Sequence, residues 1–596
     1  MENINYISTE ITGGFWKNKI DLVRNVTVKA VYDRFKKSGR FDAVCFNWNG
    51  DKENKPHPYF DSDVAKWIEG VAYLTAKKRE PELEKIADET IDCIEKNQCS
   101  DGYFNSYIQT VGENRRFSDR NNHELYCAGH LIEAAISYHE ATGKDKLLKC
   151  MIKYIDCIEK AFITESTAEF MTPGHQEIEL ALIKLYRYTG NKKYLDMAEF
   201  FLNKRANNNK DKFAEDSHYH QSDIPIRSID EAVGHAVRAG YQYAAMAALC
   251  KENPDSELKN ACNRIFENIT NKKMSITGGI GATRNGEAFS YEYDLPNLNC
   301  YNETCASIAL ALFSEEMQQI HAKSVYGDII EKVMYNGVIS GMSLSGDKFF
   351  YENPLEIDPL KHKRPGEVLP AMERQKLFIC SCCPPNLVRI IPSISRFMYT
   401  VDGNKIYCNQ FASSETTIKL GEKEARIIQK TEYPMNGKIS IRYYGDPAVI
   451  AVRVPGWFTG DIAKTDEGFA EFSVQDGSEI EVDFDMKPVF IEANPKVQDC
   501  SGRYAVMRGP IVYCMEGLDN GNNLRDVVIG DNFTEQYEEE FGAYILNTDA
   551  YRRKDTDVLY SVKSDDRIKF NAKMIPYYAF ANRGASEMIL WVMVNN

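Results

Sequence analysis

The sequence predicts a multidomain α+β protein, a closed ring of helical hairpins followed by two β-sandwich modules. Three observations predict it. From about residue 17 to 397, apolar residues recur every three to four positions, the period of helices that bury one face. From about residue 400 the period shortens to two and β-branched residues become frequent. The length, 596 residues, exceeds what one hydrophobic core can organise and implies two to four domains.

Taken in order, the helical pattern covers 17–38, 61–78, 80–97, 122–141, 145–160 and 175–188. It continues through 192–205, 229–251, 255–271, 303–320, 325–340 and 385–398. Thr142-Gly143-Lys144-Asp145-Lys146 and Thr189-Gly190-Asn191-Lys192-Lys193 lie 47 residues apart, each closing one helix and opening the next. Such repeated hairpins build either an open solenoid or a closed α/α toroid. The long polar insertions at 99–121, 206–228 and 272–302 favour the toroid, whose loops at one end form a site. Beyond residue 400, Lys438-Ile439-Ser440-Ile441-Arg442-Tyr443 alternates with period two, and Val449-Ile450-Ala451-Val452-Arg453-Val454 is rich in β-branched residues. Two β modules are expected, at 400–497 and 498–596, most simply as sandwiches.

Composition excludes several functions. With 43% hydrophobic and 27% charged residues, the chain reads as globular throughout. A net charge of −15 offers a nucleic-acid backbone no basic surface, so no nucleic-acid partner is expected. No apolar run reaches 18 residues, so no membrane span is expected. The opening Met1-Glu2-Asn3-Ile4-Asn5-Tyr6 lacks a basic start and an apolar stretch, which points to the cytoplasm. There a disulfide framework is not expected, and cysteines on apolar helix faces (Cys93, Cys150, Cys157, Cys250) read as buried reduced thiols.

One cysteine cluster resists that reading: Cys380-Ser381-Cys382-Cys383-Pro384-Pro385-Asn386 places three thiols within four residues. A second segment, Tyr301-Asn302-Glu303-Thr304-Cys305, opens a helix after a loop containing Gly286-Glu287-Ala288-Phe289-Ser290-Tyr291. Glu303 and Cys305 with Cys382 and Cys383 offer one carboxylate and three thiolates, a full tetrahedral set for Zn²⁺. Three of the ten histidines, His123, His175 and His235, fall at or near the starts of different helices. In a toroid whose helices start at one end, all three would reach one pocket.

The segments Asn302-Glu303-Thr304-Cys305-Ala306-Ser307 and Cys382-Cys383-Pro384-Pro385-Asn386 closely resemble those of the β-L-arabinofuranosidases of glycoside hydrolase family 127. The resemblance extends through Asp61-Ser62-Asp63-Val64-Ala65-Lys66-Trp67, His123-Glu124-Leu125-Tyr126 and Glu231-Ala232-Val233-Gly234-His235-Ala236-Val237-Arg238. It reaches Arg508-Gly509-Pro510 and Pro576-Tyr577-Tyr578 in the β region. It implies an (α/α)6 barrel catalytic domain over 15–399, with residues 1–14 adding strands to the first sandwich. It also implies Cys382 as nucleophile, Glu287 as acid/base, and Glu303, Cys305, Cys382 and Cys383 as zinc ligands. His123, His175, His235 and Tyr351 would bind the furanose hydroxyls. Phe46-Asn47-Trp48-Asn49 departs from the family pattern and bears on the sugar subsite.

The activity so implied is exo-acting and retaining, on a small oligosaccharide or glycoside, and a homodimer is among the assemblies allowed. Glu287 is expected to have a raised pKa in a pocket walled by Phe289 and Tyr291. Two other readings compete: a related zinc/cysteine glycosidase for another pentose-like sugar, and a zinc-containing carbohydrate-binding protein without catalysis. A sugar epimerase or unsaturated-uronide hydrolase would need no cysteine cluster.

Overall fold

The computed structural model describes residues 1–50, 54–111, 115–206, 218–366 and 368–595. Parts of the polar insertions at 99–121 and 206–228 lie outside the described residues. The chain is a helical domain followed by β-rich modules.

Among the described residues, six helices form an inner ring: Phe60–Lys77, Glu124–Thr142, Ile178–Thr189, Ala236–Glu252, Thr304–Ile320 and Cys383–Ile390. Each packs on the next and the last packs on the first, so the ring closes. Between them in sequence run Pro81–Asn97, Lys146–Glu159, Lys192–Asn203, Ser256–Asn268 and Ser324–Lys332, which return the chain. Every inner helix therefore runs in the same direction and starts at the same end. Inner helices are covered on both sides, and their sequences reflect it: all residues from Ala236 to Cys250 are buried. Two glycines permit the close packing. A Cβ at Gly240 would lie 2.6 Å from Ala309 Cβ, and one at Gly70 would lie 2.5 Å from Val388 Cγ1.

Three local differences from the sequence reading have physical causes. The helix expected from residue 229 starts at Ala236, because the His235 side chain caps it by accepting from the Val237 and Arg238 amides. The helix expected over 385–398 stops at Ile390 and gives way to a 3₁₀ turn, Ile394–Phe397. Helix Arg40–Val44 is too short to show a period, yet it packs on Pro81–Asn97 and brings Cys45 to Cys93. Cys93 is consequently disulfide-bonded to Cys45, with their Cα atoms 4.9 Å apart, and is not the reduced thiol expected.

In the β region, the first module has two five-stranded sheets. The N-terminus contributes a strand to each: Glu2–Asn3 pairs with Tyr399–Asp402, and Thr9–Ile11 pairs with Ser414–Leu420. In the second module, hydrogen bonding joins nine strands, together with Glu356–Ile357 from the helical region, into one sheet, so two separate sheets are seen only in the first. Pro488–Glu492 pairs with Tyr504–Arg508 and so lies with the second module. A fully buried Arg453 ties the first module to the helical domain through Asp328 and Glu331, and Glu331 also accepts from Trp457 at 3.0 Å. Among the described residues no helix is long and apolar enough to cross a membrane.

Candidate active site

The common starting end of the inner helices collects the residues of interest. Cys383 is the first residue of helix Cys383–Ile390 and Cys382 precedes it, while Cys305 is the second residue of Thr304–Ile320 and Glu303 immediately precedes that helix. Helix N-termini present unpaired amides and the positive end of the helix dipole, which favours thiolates and carboxylates. Although 77 residues separate Cys305 from Cys382, their sulfurs lie 3.6 Å apart. The other separations are Cys305–Cys383 3.3 Å, Cys382–Cys383 3.8 Å, Cys382–Glu303 3.3 Å and Cys383–Glu303 3.5 Å. A tetrahedral ion with metal–sulfur bonds near 2.3 Å would space its ligands by about 3.5–3.8 Å, so the set fits one metal ion with little movement.

Electrostatics support a cation there. Glu303 Oε2 is buried and has no hydrogen-bond partner among the described residues. Burial and the facing Cys382 push the Glu303 carboxyl well above its usual range, and burial does the same to the Cys383 thiol. Burial also opposes ionisation of Cys305, but hydrogen bonds with Cys382 and Cys383 outweigh it and bring that thiol down to about 6. Four such groups cannot all ionise in a buried site unless a cation joins them. A second acidic cluster, Glu69–His130–Glu133, is already neutralised by Arg389 and Lys184.

Cys382 is the half-buried member of the set, and the Tyr351 hydroxyl lies 3.3 Å from its sulfur. The three histidines adjoin one another as expected: ring centroids are 5.9 Å apart for His123–His175 and 5.7 Å for His175–His235. Their tautomers follow from their partners. His123 Nδ1 donates to Asn121 O at 2.6 Å and His175 Nδ1 donates to Gln176 O at 3.0 Å, leaving each Nε2 as an acceptor. His235 is reversed, because its Nδ1 accepts from Val237 N at 3.2 Å and its Nε2 then donates to Glu287 Oε2 at 2.9 Å.

Glu287 corrects two expectations. Burial raises its pKa, but hydrogen bonds from His235 and Tyr301 outweigh burial, and the carboxyl sits below its usual range. Tyr291 points to solvent at 71% exposure and walls nothing, whereas Phe289 is buried in the core. Glu287 instead neighbours Tyr301, whose ring lies 6.1 Å from that of Tyr351, and the histidines neighbour Tyr126, whose ring is 4.0 Å from that of His175. Sequence reasoning gave Tyr126 and Tyr301 no role, although both stand in the segments it singled out. Backbone strain also marks the site: His123, Glu287 and Asn302 have φ of 59°, 53° and 44°, a region that L side chains rarely adopt. Phe46 packs edge-on against Phe104 at 6.1 Å.

The histidines carry a pH prediction. Burial, with the nearby Arg238 charge, pulls His123 down to about 3 and His175 well below its usual value; burial also lowers His130 and His235. Unfolded histidine titrates near 6.5, so below that pH these four histidines bind more protons in the unfolded chain than in the folded one, while Glu124 and Asp61, raised by burial to about 7 and about 6, bind more in the folded one. Each histidine held neutral costs about 1.4 kcal/mol of stability per pH unit below that value, and each raised carboxyl offsets part of the loss. The measurement that isolates the histidines is ring NMR of the folded protein, in which all four should keep the signals of the neutral form from pH 8 to pH 5. A ring that titrates across that interval would contradict neutral burial.

Comparison with known proteins gives consistent relationships. Residues 8–396 match the family described as β-L-arabinofuranosidase, GH127 catalytic domain. Residues 488–593 match the glycoside hydrolase family 127 C-terminal domain. The chain is 34% identical over 581 residues to a non-reducing end β-L-arabinofuranosidase of Bifidobacterium longum subsp. longum, covering 89% of this chain and 88% of that one. It is also similar to the crystal structure of a GH127 β-L-arabinofuranosidase from Geobacillus stearothermophilus T6, with 37% identity and a TM-score of 0.93. That likeness covers 98% of this chain and 100% of the other. A GH127 β-arabinofuranosidase structure is similar at 33% identity and a TM-score of 0.89, over 100% and 98% of the two chains.

Proposed function

The chain belongs to glycoside hydrolase family 127, and from that premise we propose that this glycoside hydrolase releases terminal β-L-arabinofuranose with retention, using Cys382 as nucleophile and Glu287 as acid/base. The observation that carries the reading is that Cys382 is the half-buried member of the cluster, 3.3 Å from the Tyr351 hydroxyl, and that Glu303 of the same cluster adjoins His235 and Glu287, their ligand atoms all within 4.8 Å of one another. We assign catalysis to the helical domain, expected over 15–399, and read its closed ring as the inner layer of an (α/α)6 barrel. The β modules would support it.

Glu303, Cys305, Cys382 and Cys383 would hold zinc, the metal that a thiolate-rich tetrahedral set selects. Bound zinc would keep the thiols deprotonated at neutral pH and make the Cys382 sulfur a better leaving group. His123 and His175 present Nε2 acceptors to sugar hydroxyls, and the Tyr351 hydroxyl stands beside the attacking sulfur. Cys382 Sγ bonds to the anomeric carbon while the glycosidic C–O bond breaks and Glu287 protonates the departing oxygen. Glu287 then takes a proton from water, the water oxygen bonds to the same carbon, and the C–S bond breaks. His235 Nε2–H holds Glu287 as the carboxylate needed in that second step. A sugar hydroxyl that engages His235 would loosen the hold and favour the protonated form needed in the first.

Two inversions at one carbon give retention. With methanol present and a short β-L-arabinofuranosyl oligosaccharide as substrate, NMR should show methyl β-L-arabinofuranoside and single-residue release from the chain end. The α-anomer would mean direct attack on the substrate and remove Cys382 from its role; internal cleavage would contradict exo action. The four-ligand set leaves no open coordination position, which favours one other reading, a structural metal in a carbohydrate-binding protein. A panel of p-nitrophenyl pentosides, none of them cleaved, would support that reading. Cleavage of a different pentoside alone would reassign the sugar.

A further inference from the structure

The segment Asp61-Ser62-Asp63-Val64-Ala65-Lys66-Trp67 stands apart in the sequence, and the site so far gives it no task. It forms the first turns of the inner helix Phe60–Lys77, and all seven residues are buried. Its acids are matched. Asp61 accepts from Ser106 N at 2.8 Å, and Asp63 accepts from Arg40 Nε at 2.8 Å. Lys66 is not matched in the same way. It is 0% exposed, its ammonium donates to the Tyr126 hydroxyl at 2.7 Å, and the Tyr126 ring centroid lies 4.8 Å away. Among the described residues it forms no ion pair, and a buried ammonium without a carboxylate is strongly unfavourable unless negative charge lies nearby.

Helix packing shows where that negative charge is. Gly70, one turn beyond Lys66, touches Val388, and Glu69 accepts from Arg389 Nη1 at 2.8 Å. Both helices start at the same end of the ring, so Lys66 is level with the turn before Val388, which begins at Cys382 and Cys383. Three thiolates and one carboxylate around a divalent cation leave a formal surplus of two negative charges. Among the described residues, no Lys or Arg forms an ion pair with Glu303. The Lys66 charge is felt at His123 and His130, and at each it favours the neutral ring.

We propose that Lys66 is the built-in counter-charge of the metal centre, a positioning residue that offsets the negative surplus of the Glu303–Cys305–Cys382–Cys383 set and so tightens its hold on zinc. The inference rests on the zinc reading above. It requires Lys66 to be unfavourable in the metal-free protein and favourable in the loaded one, which a structural lysine would not be.

The test compares wild type, Lys66→Met, Lys66→Gln and Lys66→Arg, each as the full chain. Zinc affinity is measured by competition with a chromophoric chelator, and melting temperature is measured with and without zinc. Lys66→Met and Lys66→Gln should bind zinc about 10- to 100-fold more weakly, as expected for losing one buried charge near the site. Lys66→Arg should stay near wild type. Without zinc, both neutral variants should melt at or above the wild-type temperature, and the upward shift on adding zinc should shrink. Unchanged zinc affinity in both neutral variants overturns the proposal. So does a failure to fold, or an equal loss of stability with and without zinc, since either would make Lys66 structural. A wild-type chain that binds no zinc overturns the metal reading itself, which separates the two failures.

Discussion

Cys382→Ser should reduce turnover to below about one-thousandth of wild type, even at saturating zinc. Serine keeps the size of the side chain but replaces a thiolate by a hydroxyl that stays protonated at neutral pH. Cys382 and Cys383 both belong to the ligand set, so either substitution should weaken metal binding, and loss of activity alone would not identify the nucleophile. Exposure separates them. Cys383 is fully buried, whereas Cys382 is half-buried and stands 3.3 Å from the Tyr351 hydroxyl at the pocket. Restoring zinc occupancy in Cys383→Ser should therefore recover measurable turnover, while Cys382→Ser with the same occupancy should stay inactive. The measurement is kcat alongside metal content for each variant. If zinc-loaded Cys382→Ser kept more than about a tenth of the rate, the sulfur would be only a ligand. Glu303, whose Oε1 lies 3.3 Å from the same sulfur, would then be the rival nucleophile.

Glu287→Gln should cost about 10²- to 10⁴-fold with a poor leaving group, the range of lost general acid catalysis. Zinc content should be unchanged, because Glu287 is not in the four-ligand set. A p-nitrophenyl glycoside needs no protonation to depart, so its first step should recover in this variant. Water would still lack its base, and the glycosyl–enzyme should accumulate. Intact mass should then rise by one pentosyl unit, and peptide mapping should place it on Cys382. Label on Glu303 would make the carboxylate the nucleophile. An equal loss with good and poor leaving groups would take Glu287 out of the acid role. His235 adds a control: its Nε2–H holds the carboxylate at 2.9 Å, and glutamine can still accept that bond through its carbonyl.

Apolar residues at three- and four-residue spacing located every inner helix, although a helix covered on all sides, such as Ala236–Glu252, need not show a single apolar face. The spacing missed Arg40–Val44 and Ser106–Val111, which are too short to complete a repeat. The first of these carries Cys45 to Cys93, which is why a pairing unseen in the sequence exists in the fold. The cluster that could hold a metal ion was legible because its donors come as two tight local groups, Glu303 with Cys305 and Cys382 with Cys383. The positive φ at His123, Glu287 and Asn302 was not legible: Asn and His enter the left-handed region more often than other side chains, but most of them in any sequence do not, and Glu gives no such signal.

By itself, then, the sequence determined the class of each segment and the chemistry of the donors, since helical period and donor type are local properties of the chain. Tertiary structure alone decided the charge states and partners. Ring closure sets Glu303 and Cys305 against the two cysteines 77 to 80 residues away, at 3.3 to 3.6 Å. It turns His235 Nε2–H onto Glu287, so the carboxyl expected to be raised is lowered. It leaves Tyr291 in solvent and buries Lys66 beside Tyr126, with no ion-pair partner among the described residues. Electrostatic interactions fall off with distance through space, and distances between elements far apart in the chain exist only once the ring has closed.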